Sequence, residues 1–482
     1  MQASFFWHDY ETFGVDPRRD RPAQFAGIRT DRDLNEIGTA LSLYCQPMGD
    51  YLPDPESVLL TGITPAFCQM HGLVEYQFAQ HIEQALAQPG TIGVGYNTIR
   101  FDDEVTRFLF WRNLIEPYGR EWQNQCGRWD ILDLVRTCYA LRPEGITWPK
   151  NEEGQISFKL VHLTQANGLA HEQAHDALSD VRATIALARF IKQQKPRLWD
   201  FCLALHKKEA VLAQIGTRQA FWHISGMYRV ERGCLALVFP LAFHPRNKNE
   251  LIVWDLSHDP RVLESLDVSQ IRERLFTKTQ DLPSGIERLA IKTIHINRSP
   301  IVIGQLKTVT PDIAQRWGID VPQALAYADW LNPQVSLWQD RWAQVYASAS
   351  TEQPEAVDVD AALYEGFVSF SDRQQLDRLR QRPVEQWADK VSSGVFEDAR
   401  LVSLLFRYRA RHFPQTLDSA ERQRWAEHLE RCERGEVHGL GYEALTRKIE
   451  VLSRSATPAQ QAYLNELQAW AVSHQSRSRE GL

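Results

Sequence analysis

The chain predicts an α/β fold: a mixed sheet flanked by helices, then a smaller β-rich part, then a helical end. Three observations carry this. Strand-like runs crowd the first 45 residues and are followed by one further strand and several segments of helical period. From about residue 210 to 310 the texture changes to short β-like runs separated by turn-rich stretches. From 361 onward charged helical patterns dominate.

Taken in order, residues 4–11, 25–30 and 39–45 read as strands, with a turn in 31–36. A helix is expected over 75–87, a buried strand over 91–96, and helices over 102–114 and 130–141. In the last of these Ile131, Leu134, Val135, Cys138 and Leu141 keep one apolar face. A closing helix over 177–193 repeats that spacing with Leu178, Val181, Ile185 and Ala188. Residues 235–239, 251–256, 289–296 and 300–303 are the strands of a small β domain or barrel. The small, polar, acidic stretch 346–360 reads as a linker, 419–434 and 458–473 as helices, and the last ten residues as a fraying tail.

At 482 residues the chain exceeds one ordinary core, so two or three domains are expected. Its 43% hydrophobic and 24% charged residues fit a soluble globular protein. The 15 tryptophans suit core packing or, at some positions, stacking surfaces. Seven scattered cysteines, odd in number and without a Cys-x-x-Cys pair, argue against a thiolate zinc site or a disulfide framework. The first acidic pair arrives by residue 9, leaving no room for a signal peptide, and no apolar run approaches the roughly 18 residues that span a bilayer. A cytoplasmic protein with no membrane partner is expected. The formal charge of −7 weighs mildly against a nucleic-acid partner, but local charge decides that question.

The chemistry is carried by Asp9, Glu11, Asp102, His175 and Asp180. Side chains at i and i+2 of a strand share a face, so Asp9 and Glu11 point the same way. Asp102 follows the strand over 91–96, where α/β sites form, and Asp180 falls in the first turn of the closing helix. Carboxylates gathered without cations repel and raise one another's pKa values. Two divalent ions about 3.5–4 Å apart would neutralise them and grip a phosphate. Oxygen ligands favour Mg²⁺, with Mn²⁺ as a substitute, over zinc. His175, with an ordinary pKa near 6.5, suits proton abstraction from water; a capping or core histidine is the plainer reading. The His175-Asp176 doublet of another phosphohydrolase class needs further spaced histidines, which the chain does not supply.

The order Asp-x-Glu, Asp, His-x₄-Asp resembles the proofreading-type 3′→5′ exonucleases, whose fold is ribonuclease H-like. HDYETFG (8–14), RPAQFAGIRTD (21–31), LTGITP (60–65), GYNTIRFDDEVTR (95–107), CYALRPEGITWP (138–149), AHDALSDVRATIALA (174–188) and LLFRYRARHFPQTLDSAERQRWAEH (404–428) sharpen this to bacterial exonuclease I. The resemblance spans nearly the whole chain. It implies a ribonuclease H-like mixed-sheet catalytic domain (1–194), an SH3-like β domain (195–348) and a helical C-terminal domain (349–482). It places metal ligands on Asp9, Glu11 and Asp180, completes the acidic set with Asp102, and makes His175 the base.

Substrate contacts implied by the resemblance are Glu11, Arg107, Tyr118, Trp122 and Arg136, plus Lys159 where the family pattern has arginine. A lysine holds a phosphate as a point charge and cannot make the bidentate contact. Basic and aromatic residues interleave from Arg107 to Arg136, as single-strand binding requires. The run Arg407-Tyr408-Arg409-Ala410-Arg411 suits DNA, an acidic peptide or a solvated helix face. The implied activity is Mg²⁺-dependent removal of 5′-mononucleotides from the 3′ end of single-stranded DNA, in repair and recombination, by a monomer. The implied partner is single-stranded DNA-binding protein, through its acidic C-terminal tail, with Arg142 a candidate contact. The rivals are a 3′→5′ exoribonuclease with the same catalytic set, which needs no such long extension after residue 194, and a non-catalytic single-strand binding module.

Overall fold

The computed structural model describes residues 3–170, 176–347, 357–387, 394–437 and 440–479, with side chains to 475. The chain forms two compact units, one of residues 1–127, 171–182 and 354–482, the other of 128–170 and 183–353.

The first unit is organised by β1 (Ser4–Thr12), β2 (Pro22–Thr30), β3 (Leu41–Tyr44) and β4 (Thr91–Gly95). Their order is β3-β2-β1-β4, and β5 (Gly127–Asp130) begins at the last residue of this unit's first segment. β1 is central, antiparallel to β2 and parallel to β4, so its aromatic-rich sequence is buried on both faces. Between β3 and β4 lie α1 (Pro55–Thr61), α2 (Pro65–His71) and α3 (Glu75–Leu86). α1 and α2 each begin with proline after a capping residue, Asp54 or Thr64, whose side chain accepts a backbone N–H of the first turn. These two short helices were not foreseen.

α4 (Asp102–Arg112) follows β4 with Asp102, Asp103 and Glu104 in its first turn, where the helix dipole favours negative charge. Phe6, Tyr10 and Phe25 of the sheet pack with Phe78, Ile82, Val105 and Leu109 of α3 and α4. The helices after residue 357 are built onto this core. Leu363, Leu404, Leu405 and Tyr408 pack against Phe108 and Trp111, while Leu445, Ile449, Leu464 and Leu467 pack against Val58, Ile63 and Cys68. The helix Pro458–Arg479 runs through most of the stretch expected to fray.

Buried ion pairs tie the two sequence-distant parts of this unit together. Arg21 meets Asp360 at 2.8 Å and Arg411 bonds both Asp50 (2.6 Å) and Asp360, while within the later part the half-buried Arg407 meets Asp358 at 2.9 Å. This corrects two expectations. The end of the supposed linker is buried structure, with Asp360 1% exposed in a short 3₁₀ turn, Val359–Tyr364. The Arg407–Arg411 run is neither solvated nor offered to a ligand: Arg409 is also buried, against Glu421 at 2.7 Å.

In the second unit α5 (Ile131–Leu141), α6 (Leu160–Ala166) and most of α7 (Ala177–Gln194) precede an antiparallel five-stranded sheet. Its strands are β6 (Phe221–Ile224), β7 (Leu235–Phe243), β8 (Glu250–Asp255), β9 (Ile291–His295) and β10 (Ile301–Ile303), in the order β10-β6-β7-β8-β9. The longest helix in this unit after α7, Val321–Leu337, packs on β7. Among the described residues no helix is long and apolar enough to cross a membrane.

Candidate metal centre

Strand alternation puts Asp9 and Glu11 on one face of β1, and α7 brings Asp180 to them from its first turn. One carboxylate oxygen from each of the three lies within 4.8 Å of the others. Asp102, 3% exposed, is fastened to the strand between the two β1 acids: its Oδ1 accepts the backbone N–H of Tyr10 at 3.0 Å. Its neighbour Asp103 is neutralised by Arg120 at 2.5 Å.

Burial pushes the Asp9 carboxyl well above its ordinary range, and the facing Asp102, Glu11 and Asp180 carboxylates push it further. Glu11 is raised to about 8 by burial, then by Asp180 and Asp102. Asp102 rises to about 7, again chiefly through burial, although the Tyr10 N–H opposes the rise. Asp9, Glu11 and Asp102 therefore resist ionising together unless positive charge reaches them. The three-residue group contains oxygen donors alone, and hard divalent cations take such ligands. The donor set therefore fits a divalent metal. His175 lies outside the described residues, so the expected base has no geometry here.

The expected substrate contacts divide between the units. In the first, Trp122 is 64% exposed, while Tyr118 is half-buried with the Arg107 guanidinium 5.2 Å over its ring. Arg107 itself is buried, bonded to Glu121 at 2.7 Å, to Glu104 at 2.6 Å and to the Tyr364 hydroxyl at 3.1 Å. It braces the aromatic surface from beneath and does not face solvent. In the second unit Lys159 is exposed just ahead of α6, and Arg136 pairs with Asp133 at 2.6 Å. Arg142, the candidate tail contact, is exposed after α5.

Sequence reasoning missed an aromatic loop in the first unit. Tyr364, Phe367 and Phe370 are exposed, Phe367 to 98%, and the Tyr364 hydroxyl also donates to Glu104 of α4. The sequence signal is three aromatics within YEGFVSF (364–370), inside a segment otherwise read as charged helix.

The geometry has relatives. Three family models match in succession: Exonuclease over residues 6–188, Exonuclease I SH3-like domain over 206–348 and Exonuclease I C-terminal domain over 357–474. Exodeoxyribonuclease I of Escherichia coli (strain K12) is 46% identical over 433 residues, covering 89% of each chain. A moderately thermophilic exonuclease I from Methylocaldum szegediense superposes with a TM-score of 0.91 at 43% identity, covering 98% of this chain and 99% of that one. The zinc-ion-bound form of the E. coli exonuclease I–single-stranded DNA complex gives 0.89 at 40% identity, covering 98% and 100%. A likeness of this identity along nearly the whole of both chains, over the same three successive parts, makes the chain a member of the exodeoxyribonuclease I family.

Proposed function

We propose that this chain is a divalent-metal-dependent exonuclease that removes 5′-mononucleotides from the 3′ end of single-stranded DNA, in repair and recombination. The observation that carries it is the convergence of Asp9, Glu11 and Asp180 within 4.8 Å, where burial and the neighbouring carboxylates oppose the ionisation of Asp9 and Glu11. Family membership supports the substrate and direction. Two Mg²⁺ ions, or Mn²⁺ in their place, would supply the charge that neutralises these acids and polarises the scissile phosphodiester.

The chain's own residues do the rest. Asp9, Glu11 and Asp180 present the ligand oxygens, and Asp102, fixed by the Tyr10 N–H, completes the acidic set. His175 accepts the proton of the attacking water, which the free imidazole can do at neutral pH. Trp122, Tyr118 and the Tyr364–Phe370 loop offer rings on which bases stack irrespective of sequence. Arg136 and the exposed Lys159 supply positive charge for phosphates. The division 1–194, 195–348 and 349–482 is kept, supported by the three family matches. The protein acts as a cytoplasmic monomer and takes the acidic tail of single-stranded DNA-binding protein, with Arg142 contributing.

The test uses 5′-labelled DNA and RNA oligonucleotides of one sequence, with a duplex DNA control, each with and without Mg²⁺. A Mg²⁺-dependent ladder shortening from the 3′ end of single-stranded DNA alone is expected. Equal or faster loss of RNA would instead place the chain with the exoribonucleases, and binding without cleavage would leave a single-strand binding module.

A further inference from the structure

Gln24 is the lone polar side chain between Pro22 and Ile28 of β2, is 2% exposed, and stands directly across from Glu11 in the β1–β2 register. Its amide reaches the helix that carries Asp180 from both ends, and its Nε2 also stands 3.4 Å from the Tyr44 hydroxyl and 3.5 Å from the Ser42 hydroxyl of β3. Nε2 donates to Asp176 Oδ1 at 3.0 Å, and Oε1 accepts the backbone N–H of Ala177, the first residue of α7, at 3.2 Å. The other Asp176 oxygen accepts the Ser179 N–H at 3.0 Å, which is a side-chain cap, and the Asp176 carbonyl accepts the Asp180 N–H at 3.0 Å. The first N–H groups of a helix have no partner within it, so Gln24 satisfies one and holds the residue that caps another.

A carboxylate cannot donate and a backbone N–H cannot accept, so these two partners fix which way the amide faces. One side chain thus spans from the strand position beside Glu11 to the first turn of α7, one turn before Asp180. Neither glutamate, which lacks the donor, nor methionine, which lacks both groups, can make this clasp.

We infer that Gln24 is a positioning residue for the metal centre: by clasping the start of α7 to β2 it sets where Asp180 stands relative to Glu11. The inference rests on the metal-centre reading above. Groups that orient metal ligands without touching the metal typically change affinity or activity by about 10–100-fold when removed. A merely structural glutamine would lower stability and leave the affinity of the folded protein alone.

Mn²⁺ binding to the full chain, measured by titration calorimetry without DNA, separates these. The parent should bind, and Asp180→Asn should lose at least one of its ions; parental binding by Asp180→Asn would overturn the metal-centre reading itself. With that control in place, Gln24→Met and Gln24→Glu should each weaken Mn²⁺ binding by about 10–100-fold. In activity assays the Mg²⁺ concentration for half-maximal rate should rise while the KM for DNA stays put. The double variant Gln24→Glu/Asp176→Asn exchanges donor and acceptor: the new amide donates to the new carboxylate, which still accepts the Ala177 N–H. It should recover most of the lost affinity. Parental affinity in Gln24→Met, or a double variant no better than Gln24→Glu, would overturn the inference.

Discussion

The first unit buries two collections of carboxylates and holds them in opposite electrical states. At the metal centre Asp9, Glu11 and Asp102 are raised by burial and by one another. Where the helices after residue 357 meet the sheet domain, Asp50, Asp360 and Glu75 are each 1% exposed, and burial pushes them upward too. There the arginines prevail. Arg411 and Arg21 hold Asp50 and Asp360 well below the usual range, and Arg112 with Arg21 brings Glu75 to about 2. Burial is common to both places; what differs is the source of the compensating charge. One set is matched from within the chain and fastens it together. The other is left for a cation from outside.

The largest expected effect breaks the contrast at the metal centre. Asp9→Asn or Asp180→Asn should reduce cleavage below detection while leaving single-stranded DNA binding largely intact. The metal-free variant should be no less stable than the parent, because one member of a repelling set is gone. Equal loss of DNA binding and of fold would mean that these acids hold the structure. His175→Ala should lower the rate by roughly 10²–10⁴-fold without unfolding; a parental rate removes it from the mechanism.

The arginine-matched set should respond the other way. Arg411→Met takes one cationic partner from each of two buried carboxylates, leaving Asp360 to Arg21 and Asp50 to His428, and breaking a buried pair costs up to about 3–5 kcal/mol of stability. Chemical denaturation would read that loss, and an unchanged profile would contradict the assignment of this network as a fastener.

The sign of the pH dependence differs as well. Groups with raised folded pKa values bind more protons in the native state than in the unfolded one. Between about pH 6.5 and 8 the metal-free parent should therefore lose stability as pH rises through the range of Asp102 and Glu11. Saturating Mn²⁺ should flatten that slope. Below 6.5 the buried His8, His223 and His412, lowered to about 3, 3 and 4, begin to oppose it. The depressed carboxylates contribute stability that is fully present above their unfolded range near 4 and is lost as pH falls toward 2. Thermal unfolding across pH, with and without Mn²⁺, measures both limbs.

The smallest expected effect concerns the exposed loop. Phe367→Ala should weaken single-stranded DNA binding by about 1–3 kcal/mol if one base stacks there, with little change in the rate at saturating DNA.

The metal centre was legible because its acids announce themselves locally: Asp9 and Glu11 by strand period, Asp102 by its place after β4, and Asp180 by its place in a helix start. Periodicity likewise found β1, β4, α3, α4, α5 and α7 to within a residue or two. It missed β5 and β6, four residues each, and the short helices α1, α2 and α6, which are set by caps and packing more than by period. The buried ion pairs were invisible for a different reason. Arg21 and Asp360 lie 339 residues apart, and no local pattern marks an arginine as destined for the interior. So Arg407–Arg411 read as a DNA or acidic-peptide surface or a solvated helix face, and Asp360 as linker. Gln24 had a faint signal, one polar residue in an apolar strand, but its meaning depends on the helix it clasps.

On the reading proposed above, divalent cations complete the Asp9–Glu11–Asp180 set. The most direct test counts Mn²⁺ bound per chain by electron paramagnetic resonance, in the parent and in Asp180→Asn, without DNA. Two ions bound by the parent, and loss of at least one in Asp180→Asn, is the expected result. No bound Mn²⁺ in the parent, or the same number and affinity in both proteins, would contradict it.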